Sequence, residues 1–157
     1  MTVSVCIDRA STIDSPDDDS FHIWITAALR RCDREGHVDI KIVDSDEMQT
    51  LNQIYRQQNK PTNVLSFPVD LPDDVESDLL GDIALCGPVI ESEAHLQNKP
   101  ISHHWAHMTI HGCLHLLGYD HINESDAVTM ESLETSLLQS LHIPNPYLEI
   151  SQEITQS

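Results

Sequence analysis

The stretch HGCLHLLGYDH, from His111 to His121, constrains the fold of this chain more than any other. Side chains four residues apart lie on the same face of an α-helix, so His111 and His115 can offer ring nitrogens to one metal ion. Gly118 can adopt the left-handed conformation that ends a helix, and the chain can then turn back to bring His121 to the same ion. The stretch therefore predicts a helix, a sharp turn and a three-histidine metal site.

The chemistry of these ligands favours a catalytic zinc site. Three neutral imidazoles suit zinc and leave a fourth position for water. The alternative is that they are ordinary members of the chain's ten histidines, but the spacing and the glycine at the break favour the metal. Metzincin zinc proteases share the spacing, as H-E-x-x-H-x-x-G-x-x-H, with the glutamate as general base. Here Gly112 takes that position, so the protease mechanism does not carry over.

Further polar residues flank the predicted ligands. His103 and His107 continue the histidine stripe at four-residue intervals, and we assign both to a polar rim or to a position behind the ligands, with ligation by His107 as the weaker alternative. Asp120 precedes His121 and could accept an N–H from a ligand imidazole, which would fix the orientation of the ring. It could equally be a simple turn or capping residue.

Length, composition and charge limit the class of protein. With 157 residues and 39% hydrophobic content, the chain fits one domain with its own core. Its four cysteines show no C-x-x-C spacing, and neither a membrane span nor a signal peptide is evident, so we expect a cytoplasmic protein. The net charge of −18 opposes attraction to nucleic acid or anionic lipid and favours basic protein partners. No Lys or Arg follows Lys99, so earlier cations must hold any anionic substrate, assisted by the metal.

Hydrophobic periodicity predicts the remaining elements. Residues 3–7 and 38–42 alternate as strands, and residues 64–67 and 79–86 fit a hairpin. Five helices are predicted. The first covers residues 18–34, the second begins after an N-cap at Ser45, and the third covers residues 88–96. The fourth, central helix covers about residues 102–117, and the last begins at 123 or 125 and ends before Pro144. The side chains expected to face the core are, in the second helix, Met48, Leu51 and Tyr55, and in the last helix, Val128, Leu133, Leu137 and Leu141. We expect one domain over residues 1–143 and a loosely ordered tail over 144–157.

Three segments together carry a resemblance to a known family. The histidine stretch, KPTNVLSFP at residues 60–68 and LLGDIALC at 79–86 closely resemble the YbeY family of bacterial endoribonucleases and ribosomal RNA maturation factors. The likeness covers roughly residues 37–141. It implies a single compact α+β domain with a mixed sheet of about four strands packed with helices, the central helix carrying the H-x-x-x-H motif. It also implies metal ligation by His111, His115 and His121, and a functional arginine at Arg56.

The resemblance implies a specific activity and specific partners. The activity is zinc-dependent cleavage of single-stranded RNA, in maturation of the 3′ end of small-subunit ribosomal RNA and in removal of defective ribosomes. The implied partners are the ribosome, a small-subunit ribosomal protein and the GTPase Era. Catalysis would then rest on the zinc held at His111 and His115 and on Arg56, which would neutralise charge on the phosphoryl group. From residue chemistry alone, Arg56 would be a solvated cation at a helix end.

Other roles stay open at this point. Lys60 and Asn63 are candidate substrate contacts, although turn chemistry alone could explain Asn63. The proton acceptor could be the metal's hydroxide, His107 or Asp120. Two other functions compete with the nuclease. One is a ribosome-assembly or docking protein with a mainly structural metal, which the acidity favours. The other is a different metal-dependent hydrolase such as a peptidase, against which Gly112 argues.

Overall fold

The computed structural model describes residues 2–72, 74–120 and 123–147. Within these residues the chain forms four strands and five helices. In chain order they are β1 (Val3–Arg9), α1 (Asp18–Arg31), β2 (Gly36–Val43), α2 (Ser45–Arg56), β3 (Val64–Pro68), β4 (Leu79–Cys86), α3 (Gly87–Leu96), α4 (Ile101–Leu116) and α5 (Glu124–Ser140). The predicted ligand His121 lies outside the described residues, as does the tail beyond residue 147.

The four strands form one mixed sheet in the order β1-β2-β4-β3. The pairs β1–β2 and β2–β4 are parallel, whereas β3 runs antiparallel to β4. Parallel strands need a crossover connection, and the chain supplies one for each pair. Helix α1 lies between β1 and β2, and α2 together with β3 lies between β2 and β4. The predicted α+β fold, with a four-stranded mixed sheet and a β3–β4 hairpin, is confirmed.

The core lies between one face of the sheet and the helices α1 and α4. Alternate residues of β2 and β4 point into it, and Val38, Ile40 and Ile83 are almost fully buried. The central helix α4 contacts β3, β4, α1, α3 and α5. Its residues are therefore buried around most of its circumference, among them Trp105 and Ile110. The helix that carries the histidines is thus held from several sides.

Gly112 is the point where α4 comes closest to the sheet. A β-carbon added there would lie 2.9 Å from Cγ2 of Ile83 and 3.0 Å from Cγ2 of Val64. The Ser66 hydroxyl of β3 donates a 2.8 Å hydrogen bond to the carbonyl oxygen of Gly112. This face of the helix therefore has no room for a side chain, and a glutamate at position 112 would point into the sheet.

The structure corrects several details of the predicted helices. Helix α1 ends at Arg31 and not at residue 34, because Asp33 has a positive φ of 55° that a helix does not tolerate. The N-cap of α2 is Asp44, with Ser45 as the first helical residue. Tyr55 and Val128, both predicted to face the core, have exposed fractions of 60% and 57%. Among the described residues, none of the helices is both long enough and apolar enough to span a membrane.

Candidate metal centre and its cleft

Three histidines form a ladder along one side of α4. His107, His111 and His115 follow at every fourth residue and so lie one turn above another. The ring centroids of His107 and His111 are 6.3 Å apart, and those of His111 and His115 are 4.7 Å apart. His107 is buried, whereas the other two are half-buried. The ladder therefore leads from the core to the surface.

Glu134 of α5 binds the inner part of this ladder. Its side chain is fully buried, and its two oxygens lie 2.7 Å from Nε2 of His107 and 2.6 Å from Nδ1 of His111. The hydroxyl of Tyr147 donates a third hydrogen bond to Glu134, at 2.7 Å. One buried carboxylate thus joins α4, α5 and the segment that follows α5.

The protonation states of this network follow from its environment. Burial alone raises the pKa of Glu134, but the hydrogen bonds and charges of His107 and His111 outweigh burial and lower that pKa to about 2. Burial lowers the pKa of His107, although Glu134 opposes this. Near neutral pH, Glu134 is therefore ionised and His107 is neutral.

The ionised carboxylate determines which ring atoms carry protons. Since Glu134 can only accept hydrogen bonds, His111 must donate from Nδ1, and a neutral ring then has its lone pair on Nε2. That atom lies 3.1 Å from Nε2 of His115. Two imidazole nitrogens bound to one tetrahedral zinc ion at ~2.0 Å would be about 3.3 Å apart. The spacing therefore fits a shared ion, and it equally suits an N–H donated by His115 when no ion is bound.

A buried group of donors overlaps this pair. Single donor atoms of His107, His111 and Glu134 lie within 4.8 Å of one another and could hold a metal ion. An ion bound there would replace the two ring protons that now link these atoms. His107 would have to carry its proton on Nδ1, which is buried and has no hydrogen-bond partner among the described residues. Binding at this group therefore has a cost that the His111–His115 pair does not have.

The end of α4 has the sharp turn that the sequence predicts. Gly118 has a φ of +99°. Its N–H bonds to the carbonyl of His115, and the N–H of Tyr119 bonds to the carbonyl of Leu114, which is the Schellman arrangement at a helix C-terminus. A β-carbon on Gly118 would meet nothing within 4 Å. The left-handed backbone conformation, and not a lack of room for a side chain, therefore explains why glycine stands at position 118.

A cleft of about 400 Å³ brings the predicted catalytic residues together. Its lining includes Arg56 from the last turn of α2 and both His111 and His115 from α4. The strand β3 and the segment before it form another wall, with Asn63 and Ser66. Residues far apart in sequence therefore share one concave site that contains a cation and two imidazoles.

The other predicted site residues are placed differently. Asp120 lines the cleft. Asn63 also lines it, but its amide donates to both oxygens of Glu93, at 3.1 and 3.3 Å, so its side chain holds the start of β3 to α3. Lys60 has an exposed side chain outside the cleft lining, and its carbonyl accepts a 2.8 Å hydrogen bond from the amide of Asn52.

Glu134 is the functional candidate that the sequence reading missed. It lies on the buried side of α5 together with Met130, Leu137 and Leu138. A reading based on apolar periodicity passes over a glutamate, because charged residues are rarely buried without partners. The available signal was that residues 130, 134, 137, 138 and 141 form one helical stripe in which position 134 alone is charged.

Comparisons with known proteins agree with this architecture. The family model described as "Endoribonuclease YbeY" matches residues 8–142. The solution structure of TM1509 from Thermotoga maritima is similar in fold, with a TM-score of 0.56 and 23% sequence identity, and the match covers 90% of this chain and 92% of that chain. The family match spans every element from α1 to α5, and therefore includes the whole cleft.

Proposed function

The chain belongs to the YbeY endoribonuclease family, and on that basis we propose that it is a zinc-dependent endoribonuclease specific for single strands. We propose that it acts in maturation of the small-subunit ribosomal RNA 3′ end and in ribosome quality control, in the cytoplasm. The observation that carries the proposal is the shared cleft of Arg56, His111 and His115. The ribosome, a small-subunit ribosomal protein and the GTPase Era are the proposed partners.

We propose His111, His115 and His121 as the zinc ligands. The 3.1 Å separation of the first two Nε2 atoms supports this set, as does the hydrogen bond of Glu134 to Nδ1 of His111, because a ligand imidazole typically donates its second N–H to a carboxylate. When bound, zinc would supply Lewis-acid chemistry that polarises a phosphate oxygen or acidifies a water molecule. Glu134 holds the His111 ring in the tautomer that this requires.

Arg56 is the proposed phosphate-binding residue. It is the last residue of α2, and Gln57, which has the left-handed conformation, ends the helix directly after it. A guanidinium group offers a planar pair of N–H donors that matches two phosphate oxygens and stays charged at all relevant pH. In the cleft it would bind the scissile phosphate and stabilise the negative charge that develops there.

The proton acceptor is better sought at Asp120 than at His107. His107 is buried, is committed through Nε2 to Glu134, and does not line the cleft, whereas Asp120 does. A general base must reach the proton that it removes directly or through one water molecule. We therefore propose Asp120 as the base, with the water acidified by zinc as the alternative.

Cleavage of labelled single-stranded RNA tests the proposal. We expect zinc-loaded protein to cut it, and His115→Ala to lose both bound zinc and cleavage. His95→Ala removes an exposed histidine of α3 outside the cleft and should behave as wild type. The same sequence annealed into a duplex should be resistant. Equal cleavage by His115→Ala would mean that a contaminant or another site is responsible.

The net charge of −18 supports a second candidate, a ribosome-docking protein whose metal mainly stabilises the fold. Acidic surfaces attract basic ribosomal proteins and repel free RNA. In cells, a docking protein would tolerate Arg56→Ala if the variant folds, while a nuclease would accumulate unprocessed ribosomal RNA. A peptidase is disfavoured, since position 112 faces the sheet and cannot present a base. A peptide library should show no cleavage.

A further inference from the structure

The face of the sheet opposite α1 and α4 carries a second set of metal-binding side chains. In the parallel pair β1–β2, Cys6 lies opposite Asp39 and Ser4 lies opposite His37. In the pair β2–β4, Asp39 lies opposite Asp82. Because side chains alternate along a strand, these residues share one face, while Val38 and Ile40 point into the core. Ligand-type groups from three strands therefore meet on one surface.

From this juxtaposition we propose a second cation site, for Zn²⁺, formed by the thiolate of Cys6, the imidazole of His37 and the carboxylate of Asp39. One donor atom from each of these residues lies within 4.8 Å of the others. Sulfur, nitrogen and oxygen donors in this combination suit zinc better than magnesium or calcium, which prefer oxygen alone. This site is independent of the proposed nuclease function.

The imidazole of His37 is already oriented for this role. Its Nδ1 lies 2.7 Å from the hydroxyl oxygen of Ser4, and its Nε2 lies 2.7 Å from Oδ1 of Asp39. If Nδ1 donates its proton to Ser4, then Nε2 presents a lone pair beside the carboxylate, and a cation between them satisfies both atoms. Without a cation, a proton on Nε2 takes that place. Binding of zinc therefore moves the proton of the neutral ring from Nε2 to Nδ1, where the Ser4 oxygen accepts it, and the Cys6 thiol releases its proton to solvent as the thiolate binds.

Charge on this face favours a cation. Asp39 and Asp82 are directly opposite on neighbouring strands, where like charges destabilise a sheet. Lys41, two residues further along β2, forms a 2.6 Å ion pair with Glu47 of α2, so its charge is directed toward α2. Asp82 lies outside the group of three close donor atoms, and from the neighbouring strand it adds negative charge beside the ion.

The site is also accessible. Cys6, Asp39 and Asp82 line a cleft of about 440 Å³ on this open face. Cys6 is exposed and His37 is half-buried, so an ion can enter from solvent without any opening of the core. An ion held by these ligands would link the edge strand β1 to β2, and we therefore propose that it stabilises the edge of the sheet.

Cobalt substitution distinguishes this site from the imidazole site of α4. A thiolate bound to Co²⁺ gives a sulfur-to-cobalt charge-transfer band in the near ultraviolet, which histidine ligands do not give. We expect reduced full-length protein to develop this band on addition of Co²⁺, and zinc to remove it by competition. Cys6→Ser should lose the band and raise the zinc dissociation constant of this site at least about tenfold. Cys32→Ser, which removes a half-buried thiol of a different cleft, should retain the band.

Three outcomes would overturn the proposal. They are the absence of a charge-transfer band in the wild-type protein, a band that survives Cys6→Ser, and a band that disappears in Cys32→Ser. Since Cys6 is exposed and serine is nearly the same size, the variant should fold, and far-ultraviolet circular dichroism checks this. Ser4→Ala gives a second, milder test. It should keep the band but weaken binding, because only the orientation of His37 is lost.

Discussion

The role of Glu134 yields the sharpest prediction, because Glu134→Gln changes charge with almost no change in shape. The carboxylate accepts hydrogen bonds from His107, His111 and Tyr147 at 2.6 to 2.7 Å. An amide has one oxygen acceptor, and its other end carries two protons. A glutamine therefore cannot accept hydrogen bonds from His107 and His111 through two different oxygens, as the carboxylate does.

Both orientations of the glutamine are unfavourable for zinc. If the amide nitrogen faces His111, the ring must accept at Nδ1 and carry its proton on Nε2, so Nε2 cannot coordinate a metal. If the nitrogen faces His107 instead, that ring must place its proton on Nδ1, which lacks a partner among the described residues. An unsatisfied buried donor costs about 1–3 kcal/mol. We therefore expect the zinc dissociation constant to rise about 10- to 100-fold, or about 1.4–2.7 kcal/mol.

Competition with a chromophoric zinc chelator measures this change. The titration is done in Cys6→Ser protein, so that the proposed site on the open sheet face does not contribute. Glu131→Gln is the matched control, because Glu131 is an exposed residue of the same helix and its replacement should leave zinc affinity unchanged. Equal zinc affinity in Glu134→Gln and the control would refute the role assigned to this carboxylate.

The remaining predictions concern stability. Because the folded-state pKa of Glu134 is depressed from 4.5 to about 2, its ionisation contributes about 3 kcal/mol above roughly pH 5, and this contribution is lost as the pH falls toward 2. In urea unfolding, the difference in free energy of unfolding between wild type and Glu134→Gln should thus become smaller as the pH falls. A difference that does not change with pH would contradict the assignment. Gly112→Glu should lower the free energy of unfolding by more than about 3 kcal/mol without creating peptidase activity, since the new carboxylate is driven against Ile83. In thermal unfolding, Gly118→Ala should lower stability by about 1–2 kcal/mol, and Gly118→Asn should lower it less, because asparagine tolerates a positive φ and a side chain has room here. Equal losses of stability in the two variants would point to packing instead.

Much of the fold could be predicted because local chemistry and tertiary structure agree. The alternation of β1 and β2 matches their burial, and α4 ends at the turn that Gly118 makes possible. The contact of α4 with β3 at Gly112 was not predictable, because a glycine within a helix does not reveal which element approaches it. The same limit applied to Arg56, whose proximity to His111 depends on how α2 and α4 are placed.

The wrong predictions of core residues concern positions where an apolar side chain is exposed or a charged side chain is buried. Tyr55 was assigned to the core, but it lies at the surface with its ring 4.9 Å from that of Phe67, centroid to centroid, so that an aromatic contact replaces burial. Val128 fitted an apolar stripe, yet the buried stripe of α5 passes through Glu134 instead. A carboxylate can occupy a core position when hydrogen bonds to histidines compensate for lost hydration. That compensation comes from α4, and no local pattern in α5 could show it.

The proposed cleavage depends on a cleft in which Arg56 acts on a phosphate beside the metal. Its most direct test is the single-turnover rate of single-stranded RNA cleavage by Arg56→Ala, with bound zinc measured on the same sample. Arg31→Ala, which removes an exposed cation at the end of α1, is the control. We predict a rate about 10²- to 10³-fold lower for Arg56→Ala, with full zinc content, and no change for the control. An Arg56→Ala protein that cleaves at the wild-type rate would contradict the account.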